Sequence, residues 1–568
     1  MTPADVVRAY HQRTKHRLDR YAAGPQTLDW DAQPDPFRRF TDAPLVPLPL
    51  GADRIGTLYA DLYRDAAVAA ADLTVGSLAT LLELSLGLAA WKQYGSARWA
   101  LRCNPSSGNL HPTEGYVVIP DIASVDRTNG IAGGVYHYAS REHALEARCV
   151  PQSPRLAEGP GRGRLLVVLS SIHWREAWKY GERAFRYCQL DEGHAIAAVR
   201  YAAAAHGWRV TVQEHWGDDQ VTALLGLDRA QDFAGAEPEQ PGAVLLVQTG
   251  TDDDGGHCSP AALLAAVTAA PWRGKANRLD PRPLYQWPVI EEVAAAAGKP
   301  ATSAPGAEHP VAGSTDGPRR TAVASTTVTD PPHEPAAGLI RRRRSTQAFD
   351  AGTEIDDRTF YGLLDRLLPR AGVLPWDMLP WHPRLHPVFF VHRVAGIPPG
   401  LYALARRSTA VSTLRATLRA EFDWEPPAGC PQWLPLFRLV RADARRAAGT
   451  ISCHQAIAAD AAFSVAMVAE FDSALAQGSW AYRRLFWEAG VLGQILYLDA
   501  EARGLRGTGI GCFFDDVVHD ILGITDTRLQ SLYHFAVGRP VVDRRLITLP
   551  PYHHLRREAG PPETDGQL

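Results

Sequence analysis

The chain repeats itself. Shifted by 297 residues, Lys179–Leu227 lies over Ala476–Ile524 without a gap and with fourteen identities in forty-nine positions. YGERAFRY falls on QGSWAYRR, GWRVTVQEHWGDD on GLRGTGIGCFFDD, and LLGL on ILGI. The match recurs upstream, where PSSGNLHP (105–112) meets PWHPRLHP (380–387) and GVYHY (134–138) meets GLYAL (400–404). Two units of one fold therefore stand in tandem, and any architecture proposed for one must serve both. Residues 296–336 between them are rich in Ala, Pro, Gly, Ser and Thr and hold too little large apolar surface to order themselves, so a flexible linker is expected. The division is an arm at 1–36, a first unit at 37–255, a connecting segment and linker at 256–336, a second unit at 337–550 and a tail at 551–568.

Charge and hydropathy exclude several classes of function. A net charge of −3 over 568 residues gives no electrostatic reason to expect nucleic acid. No apolar run approaches the ~18 residues of a membrane span, and MTPADVVRAYHQRTKH lacks the apolar core of a secretion signal, so the expectation is a cytoplasmic protein without membrane contact. The seven cysteines are scattered, odd in number and without a C-x-x-C pair, which suggests neither zinc nor a disulfide framework. His11 and His16 are spaced poorly for a shared ligand face on a helix, and a solvated polar helix is expected there, with no metal.

Within the first unit, the spacing of Leu78, Leu81, Leu82, Leu86 and Ala89 predicts an amphipathic helix over Ser77–Trp91. It delivers the chain to Asn104-Pro105-Ser106-Ser107-Gly108-Asn109, a turn of small side chains with amide and hydroxyl groups, followed by a strand at Gly115–Ile119. Such a turn offers a flat ligand several hydrogen bonds at close approach, although an ordinary loop remains the alternative. Strands are expected at Gly133–Tyr138 and Arg164–Ser170, and a long helix runs to about Ala205. His194, His111 and His386 read as packed structural residues.

The second unit opens on Leu339-Ile340-Arg341-Arg342-Arg343-Arg344-Ser345-Thr346-Gln347-Ala348-Phe349. A run of four arginines is most often a solvated face. Here it ends in two hydroxyl residues and an aromatic before Asp356 starts a new helix, and arginine forks with hydroxyls suit a phosphate dianion.

These residues carry a family resemblance. RRRRSTQAF resembles the Arg-Arg-Ser-x-Arg-x-Phe opening of nitroreductase-like flavoproteins, with Gln347 where a basic residue is usual, and PSSGN resembles their Pro-Ser-Ser-x-Asn flavin-contacting turn. YHQRTKH, LDW with PDPFRRF, NPSSGNLHPTEGYVV, GGVYHY and KYGERAFRYCQLDEGH look like the SagB-type dehydrogenases, the branch that includes azoline oxidases of modified-peptide pathways. The resemblance implies an α+β fold, two tandem nitroreductase-like domains forming an intrachain pseudo-dimer, and FMN in the interface between them. It also implies a peptide or other small-molecule substrate and a biosynthetic partner enzyme; the chain itself would be a monomer. An NAD(P)H-dependent nitro or quinone reductase is the rival enzyme reading, and a flavin-free scaffold for a peptide or partner synthetase is the third.

The two copies have lost complementary parts. The phosphate arm (Arg342, Arg343, Arg344, Ser345, Thr346) is intact only in the second, since the first offers Phe37-Arg38-Arg39-Phe40-Thr41. The strand Gly507-Thr508-Gly509-Ile510-Gly511 is also second-copy only, because Val212 and Glu214 stand opposite Gly509 and Gly511; in the family this strand meets the flavin edge. Conversely the Pro-Ser-Ser turn that opens at Pro105 survives only in the first copy, since Trp381, His382, Pro383 and Arg384 replace Ser106, Ser107, Gly108 and Asn109 in the second. Lys179 and Tyr180, which match the family's catalytic pair, have Ala476 and Gln477 as counterparts. A single composite site is expected, with one FMN per chain and Arg539 as a further phosphate candidate. For Lys179, pairing with Glu182 on a solvated helix start is the alternative.

Overall fold

The computed structural model describes residues 1–64, 66–123, 130–151, 160, 163–250, 257–303 and 333–555. Each unit is built on an antiparallel sheet with the same strand order. In the first the neighbours run Leu45–Pro47, Ala144–Cys149, Gly134–Ala139, Thr113–Ile119, Arg164–Ser171, Gln240–Gln248 and Arg209–Val212. In the second they run Leu436–Arg441, Gly400–Leu404, Leu385–Val391, Phe463–Glu470, Leu529–Gly538 and Arg506–Ile510. The six strands correspond one for one, and the first unit adds an edge strand. Val/Leu/Ala-rich runs such as Leu165–Leu169 and Val465–Ala469 are buried on both faces, which is why they read as continuous apolar segments with no alternation.

Two long helices, Ala184–Ala204 and Ala481–Ala502, pack against one another between the sheets. Every residue of the first is buried, so its polar side chains need partners inside the molecule. The helices approach at glycines. A Cβ on Gly193 would stand 2.3 Å from the Trp487 carbonyl oxygen, and one on Gly490 would stand 2.3 Å from the Leu190 oxygen. The repeat offset exchanges Gly193 with Gly490 and Leu190 with Trp487, so the contact is reciprocal, as at a two-fold interface. The tandem chain thus carries the dimer within itself.

Chain segments outside the sheets lock the copies together. The N-terminal helix Pro3–Arg13 bridges them: Tyr10 donates to the Glu182 carbonyl at 2.7 Å in the first copy, while His11 meets Tyr482 and Gln530 of the second at 3.2 Å each. Both histidines of this arm are buried, against the expectation of a solvated helix, because the second unit covers a face that appears polar only in isolation. After the second sheet, Ile547–Leu549 adds to the hairpin Leu88–Tyr94 and Ala97–Arg102 of the first copy, and the buried Tyr552 hydroxyl accepts from Leu88 N–H at 2.9 Å.

That hairpin corrects another expectation. The helix runs only over Val75–Ser85, and the apolar residues after it form a strand. Gly87 closes the helix: its N–H donates to the Leu82 carbonyl at 2.8 Å, and a Cβ there would lie 2.6 Å from the Glu83 oxygen. Order also extends from the connecting segment into the first residues of the expected linker. Helices occupy Pro260–Thr268 and Pro288–Ala296, and residues 299–302 dock on the first copy through Lys299 O to Asp218 N at 2.8 Å and Thr302 N to His215 O at 3.0 Å. The rest of the expected linker, 304–332, and the tail from 556 lie outside the described residues.

Candidate active site

The hairpin strand Ala97–Arg102 leads straight into the Pro-Ser-Ser turn. Gly108, Asn109 and His111 all take positive φ (59°, 60° and 54°), which reverses the chain within a few residues. Asn109 tolerates this conformation and secures it, donating from Nδ2 to the Ala100 carbonyl at 2.9 Å, with Oδ1 3.0 Å from His111 Nε2. Ser106 Oγ accepts from the His111 N–H at 2.8 Å. Ser107 donates twice to Asp191, from its N–H and its hydroxyl, at 2.9 Å each. The turn's polar groups therefore hold the turn itself, on a carboxyl provided by the central helix.

Asp191 has a carboxyl neighbour. Glu176, on the helix His173–Tyr180, lies against Asp191 and Ser106, and both acids are buried. Burial and the adjacent Asp191 push Glu176 well above the usual carboxylate range, and burial lifts Asp191 to about 7 against the opposing hydrogen bonds from the serines. Two adjacent carboxyls in a dry pocket do not both ionise at neutral pH. One helical turn after Glu176 comes Lys179, half-buried, its Nζ 5.4 Å from the Trp30 ring and 5.3 Å from the Tyr180 ring. Desolvation lowers the Lys179 pKa, opposed by the field of Glu176. Burial raises the Tyr180 phenol well above its ordinary value, so it stays protonated. A Cβ on Gly108 would meet Tyr180 Oη at 2.5 Å and Lys179 Nζ at 3.1 Å, so the turn and the Lys-Tyr pair form one surface. Glu182 is held by Arg13 at 2.7 Å and is no partner of Lys179, which removes the solvated ion-pair alternative.

The second copy meets this surface. Tyr180 packs edge-on to Tyr187 with centroids 4.6 Å apart, and the Tyr187 hydroxyl donates to the Gly511 carbonyl at 3.2 Å. A Cβ on Gly511 would sit 2.4 Å from the Tyr187 ring, and one on Gly509 would sit 1.9 Å from Tyr533 Oη. The glycines thus admit tyrosines to the strand edge, and the Gly509 N–H donates to Tyr497 Oη at 2.9 Å. Ile510 turns its side chain into the second core and offers the site only its backbone. Arg183 and Arg186 of the first copy bond Asp515 of the second at 2.9 and 2.7 Å, which fixes the end of the glycine strand.

Upstream, the arginine run divides in two. Arg341 pairs with Asp53, and the outward-turned Arg342 pairs with Glu334 and Glu501 at 2.9 Å each. Arg343 is buried, donates to the Arg102 carbonyl at 3.1 Å and lies 4.9 Å over the Tyr497 ring. Arg344 donates to the carbonyls of Arg341 and Arg343 at 2.6 Å and of Ala89 at 3.1 Å. Neither has a carboxylate partner among the described residues, and both Nε atoms are buried without a hydrogen bond. Burial depresses both guanidinium groups, Arg344 to about 10 with Arg343 adding to the effect. A buried and a half-buried guanidinium side by side without a counter-ion suit an anion. The first copy's counterparts lack this property, since Arg38 bonds Glu239 at 3.0 Å and Arg39 bonds Glu146 at 2.6 Å. Ser345 Oγ meets Tyr497 Oη at 2.7 Å, and Thr346 N–H donates to Thr508 Oγ1 at 3.1 Å, joining the arm to the glycine strand. Arg539 is exposed at its strand end beside Asp350.

The converse position between the copies is filled. Arg484 stacks on Trp381 and Trp480 at 4.9 and 4.2 Å and pairs with Glu214 at 3.0 Å. Lys299 lies 5.3 Å over Trp480, and Arg483 bonds Asp218 at 2.7 Å. Between Val212, Glu214, Trp381 and Trp487 there remains a cavity of about 30 Å³. Trp30, Tyr187 and Asp191 lay within the quoted motifs but were given no role there, and Glu176 lay outside them; only the folded chain shows what each one touches.

Tandem sheets around reciprocal central helices define an internal dimer of the nitroreductase fold. The nitroreductase family model matches residues 72–236 and 340–539, more than half of the chain, and the chain belongs to that family. Its members are generally FMN-dependent oxidoreductases. A nitroreductase-like protein of Anabaena variabilis of known crystal structure superposes with a TM-score of 0.65 at 24% identity, over 94% of this chain and 99% of the other, so the tandem arrangement is shared. A nitroreductase-like protein of Methanocaldococcus jannaschii is 24% identical over 132 residues, spanning 21% of this chain and only 62% of that relative's length. A chain of the Escherichia coli microcin synthetase McbBCD complex matches with a TM-score of 0.26 at 17% identity, over 44% of this chain and 94% of its own. Among the described residues no helix is long and apolar enough to cross a membrane. The residues present fit FMN: the buried Arg343 and half-buried Arg344 lack a counter-ion, and the buried Asn104 Oδ1, two residues from Arg102, is also without a partner.

Proposed function

We propose that this chain is an FMN-dependent dehydrogenase of the SagB type, oxidising an azoline-like heterocycle in a peptide or natural product. The observation that carries the reading is the Lys179–Tyr180 pair, desolvated and set against the Gly108 turn of the first copy, together with the counter-ion-free arginines of the second. Arg343 and Arg344 would hold the FMN phosphate, and Ser345, Thr346 and the Pro-Ser-Ser turn would border the rest of it. When bound, FMN supplies the two-electron acceptor for hydride.

Oxidation of an azoline also removes a proton from the neighbouring atom, which requires a base on the substrate side. Lys179 serves in its neutral form, favoured by burial. Tyr180 remains a hydrogen-bond donor that orients the ring, and Trp30 covers Lys179 from the N-terminal arm. The neutral member of the Glu176–Asp191 pair keeps the turn rigid without placing a second full negative charge beside Lys179.

The test is anaerobic mixing of the yellow holoprotein with a thiazoline- or oxazoline-containing peptide, and separately with NADPH. Bleaching of the flavin band by the azoline peptide, with formation of the azole, is expected. Bleaching by NADPH alone, followed by turnover with a quinone, would favour the reductase. Protein that stays colourless when mixed with FMN would sink both enzyme readings.

A further inference from the structure

The segment leaving the glycine strand meets a second element of the same copy. Phe514 N–H donates to the Ile451 carbonyl at 2.8 Å, and Gln455 Nε2 donates to the Cys512 carbonyl at 3.2 Å. This register lays the turn 451–455 across 512–514 and sets Cys453 opposite Cys512, with the two thiols near enough to shift each other's ionisation. Both are free and half-buried. Cys103, Cys149, Cys188 and Cys258 are buried apart, and the thiol of Cys430 faces the Pro431 and Leu434 carbonyls at 3.7 Å.

The surroundings differentiate the two sulfurs. His16 Nδ1 accepts from the Ala22 N–H at 3.0 Å, which leaves the ring proton on Nε2, and the imidazole donates to Cys512. The positive charge of Arg183 reaches both thiols and Tyr21 bonds Cys453, so the His16 imidazole beside Cys512 is what separates the two. The bond from Cys453, then His16 and Arg183, hold the Cys512 thiol low, and Cys453 is pushed up. Tyr187 and Asp515 also face this corner, and Asp515 is already neutralised by Arg183 and Arg186. A thiolate with a protonated thiol at hand is the arrangement of an attacking and a resolving cysteine.

We propose that Cys453 and Cys512 form a reversible redox couple that reduces hydroperoxides at the end of the strand bordering the active site. The Cys512 thiolate attacks the terminal peroxide oxygen. The O–O bond breaks, Cys512 becomes a sulfenic acid, and the departing oxygen takes a proton from solvent to leave as water or an alcohol. Cys453 sulfur then attacks Cys512 sulfur. The S–S bond forms, the S–O bond breaks, and hydroxide leaves as water with the Cys453 proton. Two thiols and hydrogen peroxide thus give one disulfide and two waters, and a small dithiol reverses the oxidation.

The test treats the full chain, flavin bound as purified, with hydrogen peroxide and maps its peptides. A loss of two hydrogens in mass, a cross-linked peptide pair containing Cys453 and Cys512, and recovery with dithiothreitol are expected. Cys453→Ser should accumulate a Cys512 sulfenic acid trapped by dimedone. Cys512→Ser should react about tenfold more slowly, and Cys430→Ser at the parent rate. Absence of the linked pair in the parent protein, or a parent-like rate in Cys512→Ser, overturns the proposal.

Discussion

Lys179→Ala is expected to lower turnover of an azoline substrate by about 10²–10⁴-fold, the range that a positioned general base contributes, while bound FMN stays near the parental level. The side chain lies against the Gly108 turn, while Arg343 and Arg344 bond the Arg102 and Ala89 carbonyls, so its removal should leave the proposed phosphate contacts in place. The fold should also survive. Lys179 is half-buried, its close neighbours are the Trp30 and Tyr180 rings, and Glu182 is engaged by Arg13. The pH profile adds a second readout. A base must be neutral to act, and desolvation lowers the Lys179 pKa, so the parent rate should rise with pH and level off below the range of an ordinary lysine. Lys179→Ala should lose that limb. Parental oxidation of the azoline by Lys179→Ala would remove the base assignment, and an NAD(P)H-driven quinone reductase should be far less sensitive to the change.

Arg343→Ala combined with Arg344→Ala is expected to purify largely colourless. Charge-assisted hydrogen bonds to a phosphate contribute about 1.5–3 kcal/mol each, so losing both should weaken FMN by roughly 10²–10⁴-fold. The contrast with Arg341 and Arg342 sharpens the test. Those two are occupied by Asp53, Glu334 and Glu501, so Arg342→Ala should retain flavin. Arg343 and Arg344 also bond carbonyls of the first copy, and the double variant's melting should be followed without flavin. Equal FMN affinity in the double variant and the parent would dissociate the phosphate from this pair.

The sequence disclosed those features whose residues are contiguous or repeat at a fixed offset. The tandem architecture was legible because the central helices kept Gly193 and Gly490, where no side chain fits between the backbones. Lys179-Tyr180 and the Pro-Ser-Ser turn were legible as unbroken motifs. The hairpin at Leu88–Arg102 was not, because an apolar run buried on one side reads equally as helix, and only Gly87 marks the change. His11 and His16 looked solvated because the surface that buries them belongs to the other copy. The Glu176–Asp191 pair joins two helices and follows no spacing rule. The same holds for Cys453 and Cys512, which a count of scattered cysteines had set aside. The fate of residues 299–302 depended on a docking surface on the first copy that composition does not encode.

The complementary decay of the two copies leads to a number. On one side of the interface the arginines have no counter-ion. On the other, Trp381, Trp480, Arg484, Glu214 and Lys299 occupy the equivalent ground and leave about 30 Å³, room for roughly a single water. Fusion lets one of two equivalent sites accumulate such substitutions while the other continues to serve. FMN released by denaturing the reconstituted protein, counted against chain concentration, tests this directly. One FMN per chain is predicted, and it should be lost when Ser106 and Ser107 are both replaced by bulky residues. Two per chain, or one that survives those replacements, would contradict a single composite site.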